Sequence, residues 1–141
     1  KMPKYKFLED VAIADIAFRA QGKSREELFE NCALATTACM VKIAKIPLTK
    51  KRKIIVKGKT DKELLYNFLE ELVYIKDVDG LLFGKFQVKF SKGKLEARCT
   101  GEKIEKIGRE NMDKDVKAIT MHMFEIKKEN EGLSATVVVD I

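Results

Sequence analysis

The last two residues of the sequence, Asp140 and Ile141, are the first candidates for chemistry. They follow residues 135–139, a mainly β-branched apolar run that is typical of a buried strand. With Ile141 as the chain end, its terminal carboxylate lies beside the Asp140 carboxylate. Adjacent anions held in a strand repel each other, so a hard cation, a basic cluster or backbone N–H groups should compensate them. We therefore expect the functional site near residue 141.

Asp15 is a second candidate because it interrupts the apolar residues 11–18. An aspartate in such a stretch is costly unless it is hydrogen-bonded, paired with a cation or bound to a metal. Taken alone, its position is more typical of a turn or of the first residue of a strand. Its interpretation as a ligand depends on the other end of the chain.

His122 and the cysteines offer little catalytic chemistry. His122 is the single histidine, and a general base needs a partner that the sequence does not indicate. Cys32 and Cys39 lie seven residues apart, whereas zinc ligands usually have two to four residues between them. With Cys99 they are therefore predicted to be reduced core thiols of a cytoplasmic protein. The sequence has no phosphate-binding loop, nucleophile elbow or EF-hand loop, which predicts a protein that is not an enzyme.

The net charge of +6 is unevenly distributed. Residues 42–62 contain nine Lys or Arg and a single acid, Asp61. Such a segment attracts phosphate or an acidic protein surface, but it is also typical of a solvated edge strand that lysines protect against pairing. No apolar run approaches the ~18 to 20 residues of a membrane span, so we expect no membrane contact.

Two helices are predicted from caps and periodic apolar residues. Ser24 begins the first helix, with Glu27 completing a capping box, and Pro47 is expected to stop it. Thr60 or Asp61 caps the second helix.

Strands are predicted in the remaining apolar or alternating segments. These are residues 5–8, 16–22, 53–57, 82–90, 95–104, 116–126 and 134–141. The order β-β-α-β-α-β-β-β-β has too few helical crossovers for a parallel sheet. We therefore predict an α+β fold, a two-layer domain with a mixed or antiparallel β-sheet covered by two α-helices. One domain should span residues 1–141, with Lys1, ahead of Met2, expected to be an addition to the natural chain.

Several short motifs, taken in order, resemble those of a known family. They are Phe7-Leu8-Glu9, Ala14-Asp15, Arg19-Ala20-Gln21-Gly22, the helical residues 26–35, residues 64–72, residues 116–122 and the final Val139-Asp140-Ile141. Together they resemble archease, a small protein that assists tRNA-splicing ligases of the RtcB type. The likeness extends from about residue 5 to residue 141.

This resemblance implies a two-layer α+β fold and a role as an accessory protein. It further implies that the protein promotes guanylylation of the ligase, restores its multiple turnover and broadens its nucleotide use, without ligating RNA itself. The resemblance also implies a divalent-ion site, described with Ca²⁺, whose residues here are Asp15, Asp140 and Ile141. Three anionic oxygen groups suit Ca²⁺, Mg²⁺ or Mn²⁺ better than zinc. Many members have His-Thr-Ala-Asp where this chain has Ala12-Ile13-Ala14-Asp15, so this chain keeps the aspartate but lacks that His and Thr.

We therefore expect this protein to be a partner of an RtcB-type tRNA ligase and to meet tRNA only indirectly. It would position or deliver a divalent ion during guanylylation of the ligase. Lys117 and His122 are candidates to contact nucleotide phosphate or ligase carboxylates. A basic cluster, which would steer docking to an acidic surface or to RNA, consists of Lys50, Lys51, Arg52 and Lys53.

Two rival hypotheses remain. The first is a plain RNA-binding module whose footprint is the basic segment, although that segment contains no aromatic residue for base stacking. The second is a small hydrolase that uses Asp15 and His122.

Overall fold

The computed structural model describes residues 4–9 and 15–141. Within these residues the elements follow in the order β1 Tyr5–Leu8, β2 Asp15–Gly22, α1 Arg25–Met40, β3 Lys50–Lys57, α2 Asp61–Asp79, β4 Leu81–Ser91, β5 Lys94–Lys103, the single turn α3 Ile104–Ile107, β6 Ala118–Glu129 and β7 Gly132–Asp140. Lys1 and the stretch 10–14, which includes Ala12-Ile13-Ala14, lie outside the described residues. None of the described helices combines the length and apolar content that crossing a bilayer requires.

The strands of the described residues form two antiparallel sheets. The larger sheet has the order β1-β2-β7-β6, and the smaller sheet has the order β3-β5-β4. The α+β prediction is confirmed, with the strands divided between two sheets where one was expected. The pairs β1–β2, β4–β5 and β6–β7 join consecutive strands, whereas β2 pairs with β7 across most of the chain.

Helix α1 begins where its capping box predicts. The Ser24 side chain accepts a hydrogen bond from the Glu27 amide at 3.1 Å, and the Glu27 carboxylate accepts one from the Lys23 amide at 2.6 Å. The helix ends at Met40, before the expected stop at Pro47. Val41 is extended instead and forms an isolated β-bridge with Met112, a contact that no local pattern indicates.

Helix α2 has defined caps at both ends. Thr60 accepts a hydrogen bond from the Glu63 amide at 3.1 Å. At the other end Gly80 adopts the left-handed conformation, with φ of 62°. Glycine suits this position because a Cβ atom makes that conformation costly.

A continuous core joins both sheets to both long helices. Helix α1 contacts β2 and β4, while α2 contacts β3 and β6, so each helix touches both sheets. The inner faces contribute Phe18 and Val137 from the larger sheet and Leu95 from the smaller one, all fully buried. Because α1 is enclosed by both sheets, most of its residues are buried.

The three cysteines are buried and free, as the core-thiol prediction requires. Burial raises the pKa of the Cys39 and Cys99 thiols to about 12. It also raises the pKa of the Cys32 thiol. Because the thiolate is the reactive form, these groups are chemically inert in the folded protein.

Candidate functional site

Asp15 and Asp140 are direct partners in the pairing of β2 with β7. Asp15 is the first residue of β2 and Asp140 is the last residue of β7, so antiparallel pairing brings the two together. Directly opposed residues place their side chains on the same face of a sheet, with Cβ atoms about 4.5–5.5 Å apart. The two carboxylates that the sequence singled out separately are therefore neighbours.

The shared face of Asp15 and Asp140 is the one turned away from the main core. Side chains alternate along a strand, and the next residues inward, Ile16 and Val139, pack with the core. Both aspartates are only partly buried. Ala17 and Val138, the adjacent pair on the same face, are fully buried, so of these two pairs only the aspartates are partly accessible to solvent.

On the side of β7 away from β2, pairing with β6 holds the backbone of Asp140 in place. Ala118 of β6 pairs with Asp140, and the Lys117 amide donates a hydrogen bond to the Asp140 carbonyl at 2.8 Å. Ile141 is partly buried and packs against the core. The backbone at residue 140 is thus bounded by a strand on each side and by an anchored residue after it.

Helix α2 holds the segment immediately before β6 through Lys76. The Lys76 Nζ donates to the Val116 carbonyl at 2.6 Å and to the Asp115 carboxylate at 2.7 Å, and it lies 2.7 Å from the Asp77 carboxylate. Burial alone lowers the pKa of Lys76, but the hydrogen bonds to Asp115 and Asp77 raise it above its ordinary value overall. Lys76 is therefore a charged group that anchors Asp115 and Val116, the two residues immediately before Lys117.

A second contact from α2 reaches the same strand. The Glu70 carboxylate accepts a hydrogen bond from the Ile119 amide at 2.5 Å. Ile119 pairs with Val139 on its other side. Lys76 and Glu70 therefore bind the chain to α2 on both sides of Lys117 and Ala118, the two residues that border Asp140.

His122 lies in an irregular part of β6. The pairing with β7 shifts between Thr120 and Glu125, where several residues oppose Val137 alone. His122 is exposed there. Val137 precedes Asp140 by three residues, roughly 10 Å along the strand. The pairing therefore sets His122 apart from Asp15, and the strands do not form the dyad of the hydrolase hypothesis.

The donor set at the paired aspartates fits a hard divalent cation. Carboxylate oxygens are the ligands that Ca²⁺ and Mg²⁺ prefer, and Mg²⁺ commonly uses one or two carboxylates with water completing its shell. Over the described ranges 4–9 and 15–141, no group of three His, Cys, Asp or Glu residues is placed to hold an ion. The backbone oxygens of Ile141 follow Asp140 directly in the chain.

Strand alternation divides the predicted basic cluster. Lys51 and Lys53 are exposed on the solvent face of the smaller sheet, whereas Lys50 and Arg52 point to the opposite side. The Arg52 guanidinium is paired with the Asp79 carboxylate at 2.9 Å. The four residues therefore do not form one surface. Lys51 and Lys53 instead join basic residues of β4 and β5, which the sequence reasoning missed.

Comparison with known proteins agrees with this architecture. The family model described as "Archease protein family (MTH1598/TM1083)" matches residues 5–141. A protein archease of Pyrococcus abyssi is 42% identical over 123 residues, covering 84% of this chain and 86% of the relative. The fold defines this chain as an α+β domain. The family model and this relative show that the chain belongs to the archease family.

Two solved structures share the fold. The solution structure of protein 1598 of Methanobacterium thermoautotrophicum has a TM-score of 0.85 and 36% identity, covering 99% of this chain and all of that one. The crystal structure of a Thermotoga maritima archease, described as a possible chaperone, has a TM-score of 0.67 and 20% identity, with 92% and 93% coverage. The predicted family resemblance is confirmed.

Proposed function

We propose that this protein is a non-enzymatic activator of an RtcB-type, GTP-dependent tRNA-splicing ligase. It promotes guanylylation of the ligase by presenting a divalent cation held at Asp15, Asp140 and Ile141. Membership of the archease family supports the choice of partner. The observation that carries the proposal is the pairing of Asp15 with Asp140, which places two partly accessible carboxylates side by side.

Asp15, Asp140 and Ile141 form the proposed cation site, which we call the pole. Each of the three residues has a defined task there. Asp15 and Asp140 supply carboxylate oxygens from two adjacent strands, so their spacing is set by the sheet and not by a loop. The backbone oxygens of Ile141 lie next in the chain, and the packed Ile141 side chain fixes their position. A divalent cation bound there supplies charge that offsets the negative charge of nucleotide phosphates.

Two further residues, Lys117 and His122, serve the docking of this protein to the ligase. Lys117 is exposed and its amide is bonded to Asp140, so its side chain starts beside the pole and can reach phosphate or a ligase carboxylate. His122 is exposed farther along β6 and offers a second polar contact. The covalent chemistry remains with the ligase under this proposal.

A guanylylation assay of the cognate ligase, with and without this protein, tests the proposal. We expect the protein to restore multiple turnover and Asp140→Ala to abolish the stimulation while the circular dichroism spectrum stays unchanged. Asp113→Ala removes an exposed carboxylate away from the β2–β7 pairing and serves as the matched control. Normal stimulation by Asp140→Ala contradicts the cation mechanism, and no stimulation by the wild type contradicts the partner.

Titration calorimetry with Ca²⁺ and Mn²⁺ tests the ion site without the ligase. We expect one site per chain, lost in Asp15→Asn and in Asp140→Asn. Adding one residue after Ile141 is expected to weaken binding, because it removes a carboxylate from the pole. Equal binding by all of these proteins contradicts the assignment of the ligands.

A further inference from the structure

The solvent face of the smaller sheet is a separate functional surface. Along β3, β5 and β4, alternate residues such as Ile54, Leu95 and Phe86 are buried against the helices. The intervening residues form the opposite face. None of the described strands or helices is seen to pack over it, and its side chains are exposed or partly exposed.

Basic residues dominate this face, which we call the basic sheet face. Within the described part of the chain it carries seven basic side chains and one acidic side chain. From β3, β5 and β4 in turn, the basic residues are Lys51, Lys53, Lys57, Lys94, Arg98, Lys85 and Lys89, and the acidic residue is Glu96.

The cross-strand register places these charges in rows. Lys53 pairs with Arg98, and Arg98 pairs with Gln87 in the next strand. Lys57 likewise pairs with Lys94. Strands lie about 4.8 Å apart and same-face residues about 6.8 Å apart along a strand, so the surface measures roughly 20 by 10 Å.

Little on the face compensates this charge. The Arg98 Nε lies 3.7 Å from the Glu96 carboxylate, which is too long for a hydrogen bond. On the opposite side of β3, by contrast, Arg52 is paired with Asp79 at 2.9 Å. The whole chain has a net charge of +6, the same as the seven basic and one acidic groups of this face together. The net positive charge of the protein is therefore concentrated here.

The composition of the face favours a polyphosphate over an acidic protein. Ile55 is its single large apolar residue, whereas protein interfaces have an apolar centre and are depleted in lysine. Nucleic-acid interfaces are more polar and more positively charged. The face has no aromatic side chain, so it offers no platform on which bases stack.

We propose that the basic sheet face binds the phosphate backbone of folded RNA without sequence preference. The charge pattern assigns a nucleic-acid backbone, and the choice of RNA rests on the proposed function. The face belongs to a different sheet from Asp15 and Asp140. RNA binding and cation binding can therefore be removed separately, and the RNA measurement needs no ligase.

Fluorescence anisotropy with a labelled tRNA transcript, measured from 50 to 300 mM NaCl, tests the proposal. The variant Lys53→Gln/Lys89→Gln/Arg98→Gln removes three exposed charges from the face. We expect at least a tenfold loss of affinity at 100 mM NaCl. The slope of log affinity against log salt should become shallower by about 2 to 3, since each lost phosphate contact lowers it by about 0.7–0.9.

A charge-matched control replaces exposed lysines elsewhere, Lys106, Lys114 and Lys128, with Gln. We expect it to lose less than threefold in affinity and to keep the wild-type salt slope. An equal loss in both variants overturns the proposal, because bulk charge then explains the binding. Absence of wild-type RNA binding also overturns it, and so does preferential binding of poly-glutamate over RNA, which assigns the face to an acidic protein.

Discussion

Asp15 and Asp140 oppose each other where β2 begins and β7 ends, with both side chains on the same face of the larger sheet. Like charges directly opposite in a sheet destabilise it, by about 0.2–1 kcal/mol for an exposed pair. A cation bound between the two carboxylates attracts both of them, so the pair then stabilises the sheet. The stability of the protein should therefore depend on divalent ions at this one position.

Asp140→Asn should raise the melting temperature in chelator by a few degrees or less, because it removes the repulsion. Added Ca²⁺ should stabilise the wild type by about 2.7 kcal/mol at a hundredfold excess over its dissociation constant, and the variant much less. Differential scanning calorimetry with EDTA and with Ca²⁺, Mg²⁺ or Mn²⁺ measures both effects. A wild-type melting temperature that no divalent ion changes contradicts the cation site.

Lys76→Met should weaken both the fold and the ion site, although Lys76 contacts no proposed ligand. The substitution keeps the buried stem but leaves the Val116 carbonyl without its donor, at a cost of about 1–3 kcal/mol. Because Lys117 follows Val116 and holds the Asp140 carbonyl, Ca²⁺ affinity should fall severalfold. Urea unfolding and calorimetric titration measure the two effects. The exposed Lys62 of α2 offers the control Lys62→Met, which should change neither.

Met123 has a φ of 55°, which is the left-handed conformation, in the irregular part of β6. That conformation costs a non-glycine residue about 1–2 kcal/mol. Met121, two residues earlier, is similarly exposed, at 52% against 46% for Met123, without a positive φ. Met123→Gly should therefore be more stable than Met121→Gly by about 1–2 kcal/mol in urea unfolding. Equal stability of the two variants shows that the β6 irregularity stores no backbone strain.

Glu102 and Glu30 should respond to pH with opposite signs. Hydrogen bonds from the Thr49 hydroxyl and the Lys103 amide lower the pKa of Glu102, so its contribution is present above about pH 4.3 and is lost as the pH falls. Burial raises the pKa of Glu30, although the Val88 amide donates to its carboxylate at 2.9 Å. Its ionised form therefore reduces stability near pH 7, and protonation relieves this as the pH falls.

Thermal unfolding of Glu102→Gln and Glu30→Gln from pH 7 to pH 3 measures this difference. Glu102→Gln should be less stable than the wild type at pH 7, with the gap closing towards pH 3. Glu30→Gln should be more stable at pH 7, and its gain should also vanish towards pH 3. Parallel curves for the two variants contradict the assigned directions.

Local features of this protein can be predicted from the sequence. The capping boxes at Ser24 and Thr60 act within one helical turn, so nearby residues specify where both helices begin. The turn at Gly93, with φ of 65°, is likewise specified by neighbouring residues. Family membership also follows from the sequence, because the ordered motifs span nearly the whole chain.

The contacts between distant residues were decided by the tertiary structure. The division into two sheets and the pairing of Asp15 with Asp140 depend on strands that are far apart in the chain. The end of α1 at Met40 likewise accompanies a bridge from Val41 to the distant Met112. The same holds for the basic sheet face, where Lys53 meets Arg98 while the adjacent Arg52 pairs with Asp79. Strand partners are selected by side-chain packing across the core. The entropic cost of bringing two strands together rises only slowly with the number of residues between them, so distant strands can pair. A local pattern therefore identifies a strand, and only the folded chain determines its neighbour.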